Sequence, residues 1–315
     1  MSPRKLSLSA VLLTCALSAP TAAVHAQTTQ AWVSETGNDA DPCSHALPCR
    51  TFAGAILNTN PKGRINAIGP GTFGTMTITK SITIDASKRF AGVLAAGTNA
   101  IVISAASTDV VTLRGLTIDG NGTGLDGIQI LSAKEVHIEN CTIQNFVNRG
   151  IFVNNSAGSI NIHIRNTVIR NNIGPSSPGG NSGGVLLRPA GTGVASAIIE
   201  SSHLDQNTFG LRVEPNSRAT MSDSTAAANT TFGAHALSAT NLAAIILERV
   251  ILTNNATGVQ AEGSTSASVR LTDTLITSNS VGLSAVAGGQ LISSVNNRVA
   301  GNGTNGAPTS TVAQI

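Results

Sequence analysis

Residues 136–154 read VHIENCTIQNFVNRGIFVN, and the pattern of this stretch decides the fold. Apolar and polar residues alternate through VHIE, break at Asn140, alternate again through TIQ, break after Asn145 and resume in GIFV. A period of two sends successive side chains to opposite faces, which suits strands and not helices. The pattern recurs. Its Gly-apolar pair begins at Gly127, Gly150, Gly184, Gly210, Gly233, Gly258 and Gly282, at spacings of 23, 34, 26, 23, 25 and 24 residues. Only the 34 departs, and the segment IGPSSPGGNSG at 173–183 explains it as an inserted loop. A repeat of this length is one small unit stacked on copies of itself. Three short strands per unit, joined by turns, predict an all-β chain wound as a parallel β-helix.

The turns agree. Gly115, Asn140, Asn166, Ser201, Asp223, Arg249 and Asp273 occupy the first break of successive units. Gly, Asn and Asp tolerate the left-handed backbone of a tight corner, so Arg249 is the exception. The second break carries Asn145, Asn171, Asn207, Asn229, Asn255, Asn279 and Asn302, a column whose amides are expected to hydrogen-bond from coil to coil. Asn229, Asn255 and Asn302 also stand in Asn-x-Thr sequences, which matter only in a host that glycosylates.

The first 26 residues read as a secretory leader. Arg4 and Lys5 precede a short apolar run, Leu6 to Leu17, and Val24-His25-Ala26 supplies a small-residue cleavage site. Lipidation at Cys15 is the competing reading, disfavoured by the bulk of Thr14. A secreted location, extracellular or periplasmic, is expected, with Gln27 as first residue. No later run reaches the ~18 apolar residues of a membrane span. Removing Arg4 and Lys5 from the 19 basic residues leaves 17 against 16 acidic. That balance gives no footprint for nucleic acid. Cys43 and Cys49, in DPCSHALPC, suit a disulfide in an exported protein. A metal site with His45 as third ligand competes but lacks a fourth. Cys141 aligns with small and apolar residues of other units and reads as a buried free thiol.

From these residues the chain resembles the right-handed parallel β-helix proteins of the pectate-lyase-like superfamily, over roughly residues 78–306. The opening segment CRTFAGAILNTNPKGRINAIGPGTFGTMTITKSITIDA resembles the cap helix and first coil of that group. Phe52, Ala55 and Ile56 give a helix over 50–58 one apolar face. The expected organisation is a leader at 1–26, a strand, disulfide loop and cap helix at 27–60, a β-helix of about ten coils at 61–306, and a tail or cap at 307–315. Ten coils make a rod roughly 48 Å long.

The resemblance implies a groove along one sheet and, for its enzymes, an Arg or Lys base with Ca²⁺ or a trio of carboxylates. No Asn-Thr-Asp, Asp-Asp or Gly-His-Gly signature of the polygalacturonase type is present. The chain has one Trp, Trp32, and no Tyr, so stacking platforms for sugars are scarce. The best catalytic candidates are outward positions of the third strand: Arg188, Arg212, Glu214 and His235, with Glu262 two coils on. Stacking places Arg188 beside Glu214 and Arg212 beside His235. The competing reading is a surface ion-pair ladder. Arg114, Glu139, Arg165 and Glu200 form a second column of alternating sign that suits such a ladder. His137 and His163 stack nearby but are too few to hold a metal. Asp119 and Asp126, flanking GNGTGL, are the candidate ligands of a single weak Ca²⁺, with a plain turn as the favoured reading; otherwise no cofactor or metal is expected.

A well-formed scaffold without a recognisable reaction centre predicts a secreted, non-catalytic rod that binds a polysaccharide or cell-envelope glycan. The rival is a divergent polysaccharide lyase or glycoside hydrolase acting on an acidic polysaccharide, with Arg212 as base. A purely structural component is the third reading.

Overall fold

The computed structural model describes residues 27–87, 90–174 and 181–313. The expected leader at 1–26 and the middle of the insertion, 175–180, lie outside them. Three sheets of 12, 10 and 9 strands run along a parallel β-helix. The quoted unit gives Glu135–Glu139 to the 12-stranded sheet, Thr142–Gln144 to the 10-stranded and Arg149–Val153 to the 9-stranded. These are the first, second and third sheets below. The strand counts correspond to about nine coils, close to the expected ten.

Coils stack in register, so like residues form columns. Val136 pairs with Val111 behind it and Ile162 ahead. Ile143 lies between Ile118 and Ile169, and Ile151 between Ile128 and Val185. All nine side chains are at most 1% exposed. Each large aliphatic so buried stabilises the fold by about 1.5–3 kcal/mol, which a single coil could not collect alone.

The seven residues of the first break all have positive φ, from 47° at Asp273 to 66° at Gly115. Arg249 adopts 53° as well. Its guanidinium holds the Asp223 carboxylate one coil back, with Nε 2.7 Å from Oδ1 and Nη2 2.9 Å from Oδ2. The repeat glycine serves a different need. A Cβ at Gly233 would sit 2.7 Å from the Gly258 carbonyl oxygen and 2.9 Å from a Leu252 methyl, so the column of glycines lets adjacent backbones approach.

The asparagine column forms, but two of its seven expected members, Asn145 and Asn171, are not part of it. Asn207, Asn229, Asn255, Asn279 and Asn302 stack through their amides. Asn229 Nδ2 donates to Asn255 Oδ1 at 2.9 Å, and Asn255 Nδ2 to Asn279 Oδ1 at 3.0 Å. The preceding member is Asn172, not Asn171, donating to Asn207 Oδ1 at 2.9 Å. Asn171 and Asn145 take the left-handed corner one residue earlier, at φ 55° and 64°. Asn145 instead binds Asp119 at 3.0 Å. Because Asn229 and Asn255 are at most 3% exposed, their amides are closed to glycosylation in the folded chain.

Both ends are partly covered. The helix Phe52–Asn58 is capped by the Thr51 hydroxyl, which accepts from Gly54 N at 3.0 Å, and it buries Phe52, Ala55 and Ile56 as its apolar spacing predicts. Cys43 and Cys49 are joined as a disulfide in the preceding loop. At the other end Ser310–Val312 pairs with Gln290–Ser294 and adds a last strand to the first sheet. Cys141 is buried, and burial pushes its thiol up to about 11.

Candidate functional site

Arg188, Arg212, Glu214 and His235 come from three consecutive third-sheet strands or their edges and share the outer face. The strands Gly183–Leu187, Phe209–Val213 and Phe232–Leu237 lie side by side, with Leu186 opposite Arg212 and Arg212 opposite His235. The repeat glycine fixes this register, since the two alternating positions after it must face outward.

Glu214 is the centre of the cluster. Arg188 grips it in bidentate fashion, with Nε 2.5 Å from Oε2 and Nη2 2.7 Å from Oε1. Arg212 Nε stands 2.9 Å from Oε1. One coil on, His235 Nε2 lies 3.2 Å from Glu262 Oε2, which also accepts from Gln260 Nε2 at 2.8 Å. Arg188 further donates to Asn181 Oδ1 at 2.8 Å, so the described end of the insertion touches the cluster. The stacking read from the sequence is therefore present.

The burial was not legible in the sequence. Arg212, Glu214 and His235 are 7%, 8% and 3% exposed, although they lie on the outside of the helix. A small apolar group accompanies them: Phe152, Leu186 and Phe209, with Phe232 packed against it. The Phe232 and His235 rings are 4.3 Å apart. Phe209 and Phe232 occupy the position immediately before the repeat glycine, a third outward column that the two positions after it do not reveal. Burial pushes the His235 imidazole down to about 4; the Arg212 charge pushes the same way and Glu262 opposes it. Burial also lowers Arg212 from the usual guanidinium value, and Glu214 opposes it.

The other candidates fall elsewhere. Arg114 pairs with Glu139 at 2.6 Å and Arg165 with Glu200 at 2.8 Å along the first sheet, as a ladder requires. His137 and His163 stack at 4.9 Å, and both Nε2 atoms contact Glu135 Oε1, at 3.1 and 3.2 Å. Asp126 is engaged at both oxygens by Arg149, at 2.7 and 2.9 Å. Asp119 is held by Asn121, Gln144 and Asn145. A Ca²⁺ shared by these two aspartates would have to displace Arg149, so this donor set does not fit the ion. Among the described residues no group of three His, Cys, Asp or Glu is arranged to hold a metal, and no helix is long and apolar enough to cross a membrane.

A sequence model described as the right handed beta helix region matches residues 99–302, and the chain belongs to that family. No curated protein matches it. Among solved structures the chain is similar to pectate lyase Pel9A, at 15% identity and a TM-score of 0.57 over 93% of this chain and 80% of that one. At that identity the likeness concerns the fold, which is a pectate-lyase-like right-handed β-helix. A lacto-N-biosidase from Eubacterium ramulus is 8% identical with a TM-score of 0.36, over 90% of this chain and 67% of that one. A rhamnogalacturonan lyase is 9% identical at 0.26, over 77% and 82%. These two superpose too loosely to carry an argument.

Proposed function

We propose that the protein is an exported, non-catalytic β-helix that binds a polysaccharide or cell-envelope glycan along its flank. The observation that carries this reading is the closure of the charged cluster. Arg188 and Arg212 are both bound to Glu214, and His235 to Glu262, at 2.5–3.2 Å. The two groups that would do chemistry, Arg212 and His235, are less than a tenth exposed. A base or acid must come within hydrogen-bond reach of the reacting atom, and here the neighbours occupy that space. The glycan partner is supported by the fold shared with a pectate lyase. An exported location is supported by the leader-like first 26 residues and by the Cys43–Cys49 disulfide.

One observation favours the rival. A guanidinium must lose a proton to act as the base of an elimination, and burial lowers Arg212 in that direction. The test is a lyase assay of residues 27–315 on uronate polysaccharides, with and without Ca²⁺, read by the ultraviolet absorbance of unsaturated ends. Non-catalytic binding predicts no signal. A signal that vanishes in Arg212→Ala establishes the lyase.

A further inference from the structure

The strand Thr28–Val33 opens the first sheet and pairs with Thr59–Ala67, which pairs in turn with Ile82–Asp85. Ala31, Val33 and Ile65 face the core with no exposure. The alternate residues therefore face out, and register sets Gln30 beside Arg64 and lines up Trp32, Asn66 and Asp85 across three strands. Trp32 is half-buried there, and with its neighbours it lines an outward pocket of about 310 Å³.

The pocket is built rather than incidental. The disulfide loop fixes the Trp32 backbone from outside the sheet: Trp32 N donates to Cys43 O at 2.9 Å, and Cys49 N to Trp32 O at 3.0 Å. His45 of the same loop meets the indole edge-on at 5.7 Å. Asp85 Oδ1 accepts from Ser87 N at 3.0 Å and Ser87 Oγ at 2.7 Å. Asp85 Oδ2 lies 3.7 Å from Arg64 Nη1, beyond direct hydrogen-bond reach.

An indole, a carboxylate, a guanidinium and two amides line the pocket and match the two sides of a sugar ring. The aromatic surface takes the C–H face, and the planar polar groups take the hydroxyls. The volume sits at the small end of the range for ligand pockets, about 300–1,000 Å³. That suits one sugar unit and not a long chain. Arg64 and Asp85 leave the pocket without net charge, so it holds no excess cation for a uronate carboxylate.

We propose that the Trp32 pocket binds a neutral hexose unit of a glycan. This rests on the glycan-binding reading above and deepens it by naming the subsite and the sugar class. Trp32 is the chain's one tryptophan, so intrinsic fluorescence reports this pocket alone. The experiment titrates residues 27–315 with neutral hexose oligosaccharides and with oligogalacturonate, following emission and calorimetric heat together. A saturable change in emission is expected with neutral sugars and none with uronate. Asp85→Asn should weaken the neutral ligand about tenfold, the loss of one charge-assisted hydrogen bond. Heat of glycan binding with unmoved emission and an unaffected Asp85→Asn would overturn the pocket and leave the glycan-binding reading standing. Equal responses to uronate and neutral sugars would overturn the selectivity. No heat with any glycan would overturn both.

Discussion

Arg212 and His235 are in-register partners on adjacent strands of the third sheet, and both lie buried on its outer face. A cation beside a buried imidazole keeps that imidazole neutral, and His235 is pushed down to about 4 from an ordinary 6.5, chiefly by burial. Glu214 and Glu262 oppose the shift without cancelling it. Above pH 6.5 the residue is neutral in folded and unfolded chains alike. Below it the unfolded chain takes up a proton that the folded chain refuses until about pH 4. Stability therefore falls across that window and levels off beneath it, by at most about 3 kcal/mol from this group. Thermal melts of the wild type and His235→Gln across pH 7 to 3.5 check this. The variant should lose less stability over the window, and parallel curves would contradict the account.

Glu214 neutralises two guanidiniums while itself only 8% exposed. Glu214→Gln takes from Arg188 and from the buried Arg212 the carboxylate that both contact, and leaves the more distant Glu262 as the remaining negative charge acting on Arg212. Removing one partner of such a cluster costs about 3 kcal/mol or more, whereas an exposed ion pair costs under about 1 kcal/mol. Urea unfolding of Glu214→Gln beside Glu200→Gln, whose pair with Arg165 is largely exposed, should show that contrast.

The asparagine column holds the coils together. Asn229→Ala removes the acceptor of Asn207 N, at 3.0 Å, and the donor to Leu204 O, at 3.0 Å, in a site 1% exposed. Each buried group left unpaired costs about 1–3 kcal/mol. A drop of about 2–5 kcal/mol is expected in denaturant unfolding, with Asn305→Ala, at the exposed end of the column, costing much less.

Cys141 is the free thiol of the described residues, 2% exposed and raised to about 11. The thiolate is the reactive form. A thiol reagent at pH 8 should find no reactive cysteine in folded residues 27–315 and one after unfolding without reductant. One fast equivalent in the folded protein would contradict this placement.

The coil architecture was legible because its signal is local and repeated. Alternation, turn residues and the glycine spacing each recur in every unit, so Val111, Val136 and Ile162 align without any structure. The pairing of Arg188 with Glu214 followed from the same register. What failed was finer. Adjacent asparagines at 171 and 172 left the column ambiguous by one residue, and the buried hydrogen bond chose the second. The burial of His235 escaped because outward positions are ordinarily wet, and Phe232 stands in a column that the repeat pattern did not single out. Trp32 escaped because it precedes the repeats. Only the pairing of its strand with Thr59–Ala67 puts it on the flank beside Arg64 and Asp85.

The central claim is binding without turnover. The most direct measurement co-incubates residues 27–315 with neutral and uronate polysaccharides and follows both protein and polymer by size-exclusion chromatography. The account predicts protein co-eluting with a polysaccharide whose length is unchanged after prolonged incubation. Shortening of any polymer, abolished by Arg212→Ala, would contradict it.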